Sequence, residues 1–203
     1  MPYNQFSIEQ IKLNFGIEIR DKPGMFANIP EVEYSHFLTE VLDQFVPAAL
    51  EIDTEKSRSE YIIAPILFEF KKQLPTPIRL FSGNEFTVNE EQGLSGNCDF
   101  LISYSSDPLT IEAPFIVFVE AKHDKFPSAL GECMATMLAA QVLNQRDHKE
   151  IQTIYGCVTT GTNWKFLQLI EQRIEVDLHE YFLDNLGQVL GILHHCIGQV
   201  HRD

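Results

Sequence analysis

Two charged residues end an apolar run in the middle of the chain. The stretch FIVFVEAK (115–122) begins with five consecutive apolar residues, which predicts a β-strand covered on both faces. Glu120 and Lys122 end this strand, and their side chains should point to the same side because side chains alternate along a strand. Burying an unpaired charge is costly, so both need partners. They are the first candidates for chemistry, with a plain salt bridge at a sheet edge as the alternative.

A second carboxylate precedes the apolar run before this one. Asp99, in GNCDFLIS, follows a turn and begins a predicted strand. Consecutive strands are often neighbours in a sheet, so we expect Asp99 to lie beside Glu120. Two adjacent carboxylates repel each other unless a divalent cation lies between them. A nearby lysine can orient or deprotonate a water at that cation, or stabilise the transition state. Asp99, Glu120 and Lys122 together predict metal-assisted hydrolysis of a phosphodiester.

The elements that must position these residues alternate between helix and strand. SRSEYIIAPILFEFKKQL predicts a helix, and SALGECMATMLAAQVLNQ predicts another directly after the charged strand. Between them, IRLFSGNEFTV predicts a strand broken at Ser82-Gly83-Asn84, followed by the strands that carry Asp99 and Glu120. The strand IQTIYGCVTTG follows the second helix, and a strand–helix–strand connection implies parallel pairing. The order therefore predicts an α/β fold, with a mixed β-sheet flanked by helices on both faces.

The ends of the chain add further elements to this core. SIEQIKLNF predicts a short helix with Ser7 as N-cap and Gln10 closing a capping box, and SHFLTEVLDQFVPAAL predicts a longer one. NWKFLQLIEQRIEVDL predicts two strands joined around Glu171-Gln172, and FLDNLGQVLGILHHCIGQV predicts a closing helix. No internal repeat or linker interrupts the sequence. The 203 residues are therefore interpreted as a single domain, 1–203.

Composition favours a protein of a reducing compartment. The chain is 44% hydrophobic and 22% charged, enough to bury a sizeable core. Its four cysteines are scattered without zinc-site spacing and are expected to be small buried residues. No apolar run approaches the roughly 20 residues of a membrane span, and the N-terminus lacks the features of a signal peptide. We therefore expect a cytoplasmic protein with no membrane partner.

The net charge bears on the choice of partner. The chain has 15 basic and 29 acidic residues, which give a net charge of −14. Proteins that bind nucleic acids usually carry a basic surface. Residues 1–60 are net −6 and residues 171–203 net −4, while the much longer middle, 61–170, is also net −4. An anionic partner would therefore meet the middle of the chain.

The residues also resemble a known family. Asp99, twenty residues of strand, loop and strand, and then Glu120-Ala121-Lys122 are similar to the pattern of the PD-(D/E)xK nuclease superfamily, which has the restriction-endonuclease-like fold. The resemblance covers a core of about residues 58–160, in which the order of elements also matches. Cys98 stands where the family usually has Pro. The resemblance implies that Asp99 and Glu120 hold Mg²⁺ or Mn²⁺ and that Lys122 positions and activates the attacking water.

Two further acids follow from the resemblance alone. Glu60, in SRSEYIIAPIL, corresponds to an extra metal ligand or water anchor on the first helix, with a solvated acid of the first helical turn as the alternative. On the later helix the family often places a Gln, Glu or Lys near the metal. Glu132 is the favoured candidate and Gln141 the alternative. The two are nine residues apart and face opposite sides of the helix, so they cannot both point into one site.

The resemblance implies a divalent-metal-dependent nuclease, with DNA favoured over RNA. A symmetric homodimer would suit cleavage of both strands. The alternative function is a catalytically weak or inactive nuclease-fold module that acts in protein–protein interaction or as a subunit of a nucleic-acid-processing complex. The charge of −14 favours this alternative, and the complete Asp99, Glu120 and Lys122 set argues against it. A nuclease that requires a basic protein partner to hold DNA would reconcile both observations.

Overall fold

A computed structural model of the chain forms one mixed sheet between two layers of helices. It describes residues 2–75, 78–105, 107, 109–120 and 126–200, with the backbone alone at 117–120 and 199–200. The helices are α1 (Ile8–Phe15), α2 (His36–Ile52), α3 (Glu55–Arg58), α4 (Ala64–Gln73), α5 (Phe126–Arg146) and α6 (Leu186–Val200). The strands are β1 (Glu18–Asp21), β2 (Arg79–Glu85), β3 (Asn97–Ser103), β4 (Pro114–Glu120), β5 (Thr153–Thr159), β6 (Asn163–Ile170), β7 (Arg173–Val176) and β8 (Tyr181–Phe182).

The sheet confirms the predicted α/β class. Its strand order is β1-β7-β6-β5-β4-β3-β2, and β8 pairs with β6. The β4–β5 and β1–β7 pairs are parallel, and the other pairs are antiparallel. From the edge of the sheet inward, β2, β3 and β4 form an antiparallel meander, α5 crosses over, and β5 returns parallel to β4. The predicted strand–helix–strand connection is therefore present.

Helices cover both faces of the sheet, as the sequence predicts. One core cluster joins apolar residues of α1 and α5 to the sheet, and a second joins those of α2, α4 and α6. Close contact on the first face depends on Gly156 of β5, because a Cβ there would overlap Met137 and Cys133 of α5. The four cysteines are all buried and free, as predicted. Among the described residues, no helix is both long and apolar enough to cross a membrane.

The predicted capping box of α1 is present. The Ser7 side chain accepts a hydrogen bond from the backbone N–H of Gln10, and the Gln10 side chain accepts one from the backbone N–H of Ser7. Gly16, with φ of 66°, ends the helix in the left-handed conformation. The reciprocal hydrogen bonds satisfy backbone donors that would otherwise be unpaired at a helix start.

The long helix predicted before the meander has an irregular centre. It divides into α3, a π-helical segment at Ser59–Ile63, and α4. Pro65 lies in the first turn of α4 and has no N–H to donate to the carbonyl four residues earlier, which its ring also crowds. A wider turn before the proline relieves that crowding. The sequence predicted the helix but not the π-helical turn.

The predicted break in β2 proves to be a local irregularity within a continuous strand. The strand runs through Arg79–Glu85, but Gly83 has φ of 67°. Ser82 pairs with Phe100 and Asn84 with Cys98, which places Gly83 opposite Asp99 of β3. Glycine adopts this left-handed conformation without steric cost, so β2 can continue pairing through it.

Candidate metal site at the ends of β3 and β4

The two predicted metal-binding carboxylates lie on neighbouring strands at the same end of the sheet. β3 and β4 are antiparallel, and Phe100 is paired with Phe118. Asp99 lies one residue before Phe100, and Glu120 lies two residues after Phe118, so both backbone positions approach one edge. Continuing that register places Asp99 opposite Val119, the residue directly before Glu120. The expectation that these strands are neighbours is therefore confirmed.

Asp99 occupies an irregular position in its strand. Cys98 and Leu101 both belong to the core cluster on the α5 face although they are three residues apart. Strict alternation would place them on opposite faces, so the strand departs from it between these residues. Gly83 of β2, which has a positive φ, lies opposite this irregular part of β3. Such local irregularities redirect a side chain next to a functional site, and here the redirected region contains a half-buried aspartate.

The raised pKa of a buried thiol indicates that Asp99 and Glu132 both lie near Cys98. Burial raises the pKa of Cys98, and the negative charges of Asp99 and Glu132 raise it further. Both carboxylates are thus close enough for their charges to oppose ionisation of the same sulfur. Asp99 comes from β3, and the half-buried Glu132 comes from the second turn of α5. β3 and α5 thus each bring one acid close to Cys98.

Glu120 is the last residue of β4. Its backbone is paired with Thr159, the last residue of β5, so the parallel strands end together. The Glu120 side chain and the whole of Lys122 lie outside the described residues. The structure therefore describes the backbone position of the predicted Glu120 ligand but not its side chain.

Glu60 lies on the π-helical segment, above the same end of the sheet. Arg58 Nη1 donates a hydrogen bond to the carbonyl oxygen of Thr160 at 3.2 Å, directly after β5. A Cβ added to Gly161 would lie 3.3 Å from the Cβ of Ile62, so Ile62 packs closely against this glycine. The Glu60 side chain itself is 54% exposed and forms an ion pair with Lys56, Nζ to Oε1, at 2.7 Å. This is the environment of a solvated helical acid, on a segment that the fold places beside the strand ends.

Gln141 is held at the opposite end of the sheet. Its Nε2 donates a hydrogen bond to the carbonyl oxygen of Glu171 at 2.9 Å, in the turn between β6 and β7. β6 runs antiparallel to β5 and pairs Ile170 with Thr153, so this turn lies at the start of β5, away from Glu120. Nine residues of helix separate Glu132 from Gln141 by about 13 Å along the axis. Of the two candidates, Glu132 lies at the end of α5 near Cys98.

A fully buried carboxylate elsewhere was missed by the sequence analysis. Asp177, directly after β7, accepts hydrogen bonds from the backbone N–H groups of Gly24 (2.8 Å), Phe26 (3.2 Å) and His179 (2.9 Å). It also accepts one from the Tyr181 hydroxyl at 2.8 Å. Burial, and this bond to Asp177, raise the pKa of Tyr181. These contacts join segments that are far apart in the sequence. Their only sign in the sequence is an aspartate directly after the apolar strand in RIEVDL.

Donor chemistry at the strand ends fits a hard divalent cation. Carboxylate oxygens are the ligands that Mg²⁺ prefers. Asp99 lies on the strand paired with that of Glu120, and Glu132 lies near Cys98, the residue before Asp99. Among the described side chains, which exclude that of Glu120, no group of three His, Cys, Asp or Glu residues is arranged to hold a metal ion. The fit therefore depends on the position of Glu120 at the end of β4.

No protein-family model matches the chain, and a search of curated proteins finds no significant match.

Proposed function

We propose that this protein is a divalent-metal-dependent nuclease of the restriction-endonuclease-like fold that hydrolyses phosphodiester bonds in DNA. The observation that carries the proposal is the antiparallel pairing of β3 with β4, which brings Asp99 and Glu120 to one end of the sheet. The order of the elements from α4 to β5 supports the proposal as well. It consists of a helix, an antiparallel three-stranded meander, a crossover helix and a parallel strand. This is the order of elements that the resemblance to the PD-(D/E)xK superfamily implies.

The proposed roles follow from the chemistry of each residue. Asp99 and Glu120 would hold Mg²⁺ or Mn²⁺ through carboxylate oxygens, and Glu132 would support them from α5. Lys122 would position the attacking water and stabilise negative charge on the phosphate. Bound metal supplies Lewis-acid polarisation of the phosphate and a more acidic water. Glu60 would anchor water from the π-helical segment, a kind of irregularity that recurs at functional sites.

Cys98 would not share in this chemistry. It precedes Asp99, and its pKa is raised by burial and by the two neighbouring carboxylates. The sulfur therefore remains a neutral thiol at neutral pH and packs like an apolar side chain. A thiolate nucleophile or ligand at this position is not part of the proposal.

The proposal is tested by one conservative substitution and its matched control. Asp99→Asn keeps the size of the side chain, and Asp147→Asn makes the same change at an exposed residue beyond the end of α5. Mn²⁺ is titrated calorimetrically into wild type and both variants, and cleavage of labelled single- and double-stranded DNA is measured with Mg²⁺. Changes outside the first coordination shell cost about 10–100-fold in metal affinity or activity, so loss of a direct ligand should cost at least about 100-fold.

Wild type and Asp147→Asn should bind Mn²⁺ and cleave DNA, while Asp99→Asn loses both. Unchanged Mn²⁺ binding by Asp99→Asn would contradict the proposed ligand, and absence of Mn²⁺ binding by wild type would exclude the metal site.

The net charge of −14 supports a second candidate, an inactive nuclease-fold module that works within a complex. Phosphate binding is driven by neutralisation of its charge, which an acidic chain does not supply alone. A wild-type protein that binds Mn²⁺ but neither binds nor cleaves DNA at low salt would favour this candidate.

A further inference from the structure

The first residues of the chain pack into the core on the α5 face of the sheet. They form a short 3₁₀ helix at Tyr3–Gln5, shortly before the capping box of α1. Tyr3 is 1% exposed and Phe6 is 3% exposed, and both belong to the core cluster on this face. The ends of a chain are usually poorly ordered unless contacts tie them down. This N-terminal segment, residues 2–7, is therefore a fixed part of the fold.

Tyr3 attaches this segment to the connection that leads into β3. Its hydroxyl donates a hydrogen bond to the carbonyl oxygen of Phe86, and its backbone N–H donates one to that of Ser95 at 3.1 Å. A Cβ added to Gly96 would lie 3.0 Å from the Tyr3 ring. Phe86 and Gly96 are also joined, since the Phe86 N–H donates to the Gly96 carbonyl oxygen at 2.7 Å. Tyr3 therefore holds the residues directly before β3, three positions ahead of Asp99.

The other end of the segment lies against the start of α5. A Cβ added to Gly131 would overlap the carbonyl oxygen of Phe6 and would lie 3.1 Å from the Cα of Ser7. Only glycine permits two backbones to approach this closely. Gly131 directly precedes Glu132 in the second turn of α5. The contact therefore sets how closely the turn that carries Glu132 approaches the N-terminal segment.

Helix α5 packs mainly on β4 and β5 and on the N-terminal 3₁₀ helix. The strand that carries Asp99, β3, lies one position further out in the sheet, beyond β4. The N-terminal segment contacts both α5 and the connection from which β3 begins. It is therefore a bridge between the two elements whose acids, Asp99 and Glu132, are proposed to act on one cation.

We propose that the N-terminal segment positions the candidate metal site, with Tyr3 and Gly131 as positioning residues. Tyr3 holds the start of β3, and Gly131 lets α5 approach closely enough for Asp99 and Glu132 to serve one cation. Both act through these acids and not on the cation itself. Such support matters because a site that is about 1 Å too loose loses function. This inference rests on the proposed function, since the binding of Mn²⁺ is the measurement that decides it.

The simpler interpretation is that these contacts only stabilise the fold, and a matched glycine separates the two. Gly191 lies on α6, which covers the opposite face of the sheet. A Cβ added there would overlap the carbonyl oxygen of Pro30 and lie 3.2 Å from its carbonyl carbon, against 3.0 Å for the carbonyl carbon of Phe6 at Gly131. Gly131→Ala and Gly191→Ala therefore introduce nearly the same clash, but only the first lies beside a proposed ligand.

Mn²⁺ is titrated calorimetrically into the full-length wild type and both alanine variants, at a temperature at which each is folded. We expect both variants to unfold at a lower urea concentration than wild type, because each substitution forces a helix away from a backbone segment. Gly131→Ala should also bind Mn²⁺ at least about tenfold more weakly, as is typical when contacts that support a metal ligand are lost. Gly191→Ala should bind Mn²⁺ as tightly as wild type does.

A milder pair of variants keeps the test decisive if Gly131→Ala does not fold. Tyr3→Phe removes only the hydroxyl that donates to the Phe86 carbonyl oxygen. Tyr181→Phe removes a buried hydroxyl that donates to Asp177, in the core cluster on the opposite face. Tyr3→Phe should weaken Mn²⁺ binding about threefold, because only part of the free energy of one hydrogen bond reaches the site. Tyr181→Phe should leave Mn²⁺ binding unchanged.

Amide hydrogen exchange of the metal-free proteins tests the bridge without any metal. Gly131→Ala should speed exchange at residues 97–99, the start of β3, although the substitution lies on α5, because the N-terminal segment joins the two elements. Gly191→Ala should leave exchange at these residues unchanged. Unchanged exchange at 97–99 in Gly131→Ala would overturn the proposal.

The Mn²⁺ titrations distinguish a failure of this inference from a failure of the proposed function. If wild type binds Mn²⁺ and both Gly131→Ala and Tyr3→Phe bind it as tightly, the positioning role is wrong and the metal site stands. Equal weakening in Gly131→Ala and Gly191→Ala would assign the effect to stability alone and would also overturn the inference. Absence of Mn²⁺ binding by wild type would overturn the proposed function, and this inference with it.

Discussion

Two aspartates of this protein occupy contrasting environments. Asp177 is fully buried and accepts four hydrogen bonds, from three backbone N–H groups and a tyrosine hydroxyl. Asp99 is half-buried near the end of the sheet, where its charge and that of Glu132 act on the same thiol. Four hydrogen-bond donors surround the first carboxylate, whereas the second shares the neighbourhood of a buried thiol with another acid.

The contrast bears on which carboxylate is structural and which one is proposed to bind a metal. A buried carboxylate that is saturated with donors joins segments and is stabilised without a ligand. Carboxylates that are placed near each other oppose further negative charge, and a divalent cation relieves that cost. Environment therefore distinguishes the two aspartates where residue type does not.

The largest expected effect is on stability, at Asp177. Replacement with Asn keeps the size of the side chain but removes the charge, and its amide group cannot accept the bonds now made by both oxygens. We expect Asp177→Asn to lower the free energy of unfolding by about 3 kcal/mol, because buried donors lose their acceptor. Urea denaturation measures the change. Tyr181→Phe, which removes one donor, should cost about 1 kcal/mol; equal unfolding midpoints for wild type and Asp177→Asn would refute the structural role.

The same substitution at Asp99 should behave differently. Without metal, we expect Asp99→Asn to change the free energy of unfolding by less than about 1 kcal/mol, because the residue is only half-buried. With Mn²⁺ at a hundred times its dissociation constant, wild type should gain about 2.7 kcal/mol and the variant should gain none. Thermal unfolding with and without Mn²⁺ measures both. If Mn²⁺ stabilised wild type and Asp99→Asn equally, the proposed difference between Asp99 and Asp177 would be wrong.

A smaller effect depends on pH and concerns Glu175 of β7. A hydrogen bond from Lys22 Nζ at 2.8 Å is the largest cause that lowers the pKa of Glu175, and one from Gln168 adds to it. A lowered folded pKa means that this stabilisation is present above the ordinary pKa of glutamate, about 4.3, and is lost as the pH falls through the folded value. The stability difference between wild type and Glu175→Gln should therefore shrink in acid.

Urea denaturation at several pH values measures that difference. Glu91→Gln, in the exposed connection between β2 and β3, is the matched control and should show no comparable change. If the stability difference between wild type and Glu175→Gln grew as the pH fell, it would contradict this prediction.

The smallest effect is expected at Gln141. Gln141→Ala removes one hydrogen bond to the β6–β7 turn and should cost about 0.5–1 kcal/mol of stability. Its rate of DNA cleavage should remain that of wild type, because the residue lies at the far end of the sheet. Glu132→Gln, at the near end, should lower that rate. An equal loss of cleavage in Gln141→Ala and Glu132→Gln would contradict the prediction that only Glu132 acts at the metal site.

Most of the architecture was predictable from local patterns. Apolar periodicity and capping residues predicted the helices, and apolar runs with turn residues predicted the strands β2 to β7, because these signals act over a few residues. The short strand β8 and the π-helical turn were missed. The first depends on pairing with β6, and the second on how Pro65 is accommodated within a packed helix.

The candidate site was predictable only in part. The sequence pattern selected Asp99 and Glu120 and predicted that their strands are neighbours, and the pairing of β3 with β4 confirms that expectation. The resemblance favoured Glu132 over Gln141, but the residue types alone could not show which of the two faces the site, since both are polar residues on one helix. The effect of the Glu132 charge on Cys98 and the hydrogen bond from Gln141 to the β6–β7 turn place the two residues toward opposite ends of the sheet.

By itself, the sequence determined the alternation of helices and strands, the buried cysteines and the acids that stand at strand ends, because periodicity and residue type are local properties. Only the tertiary structure decided which acids share an environment. It supplied Asp177 with donors from Gly24 and Phe26, about 150 residues away, and gathered the charges of Asp99 and Glu132 around one thiol. A carboxylate's role depends on the field and the hydrogen bonds around it, and distant parts of the chain provide both.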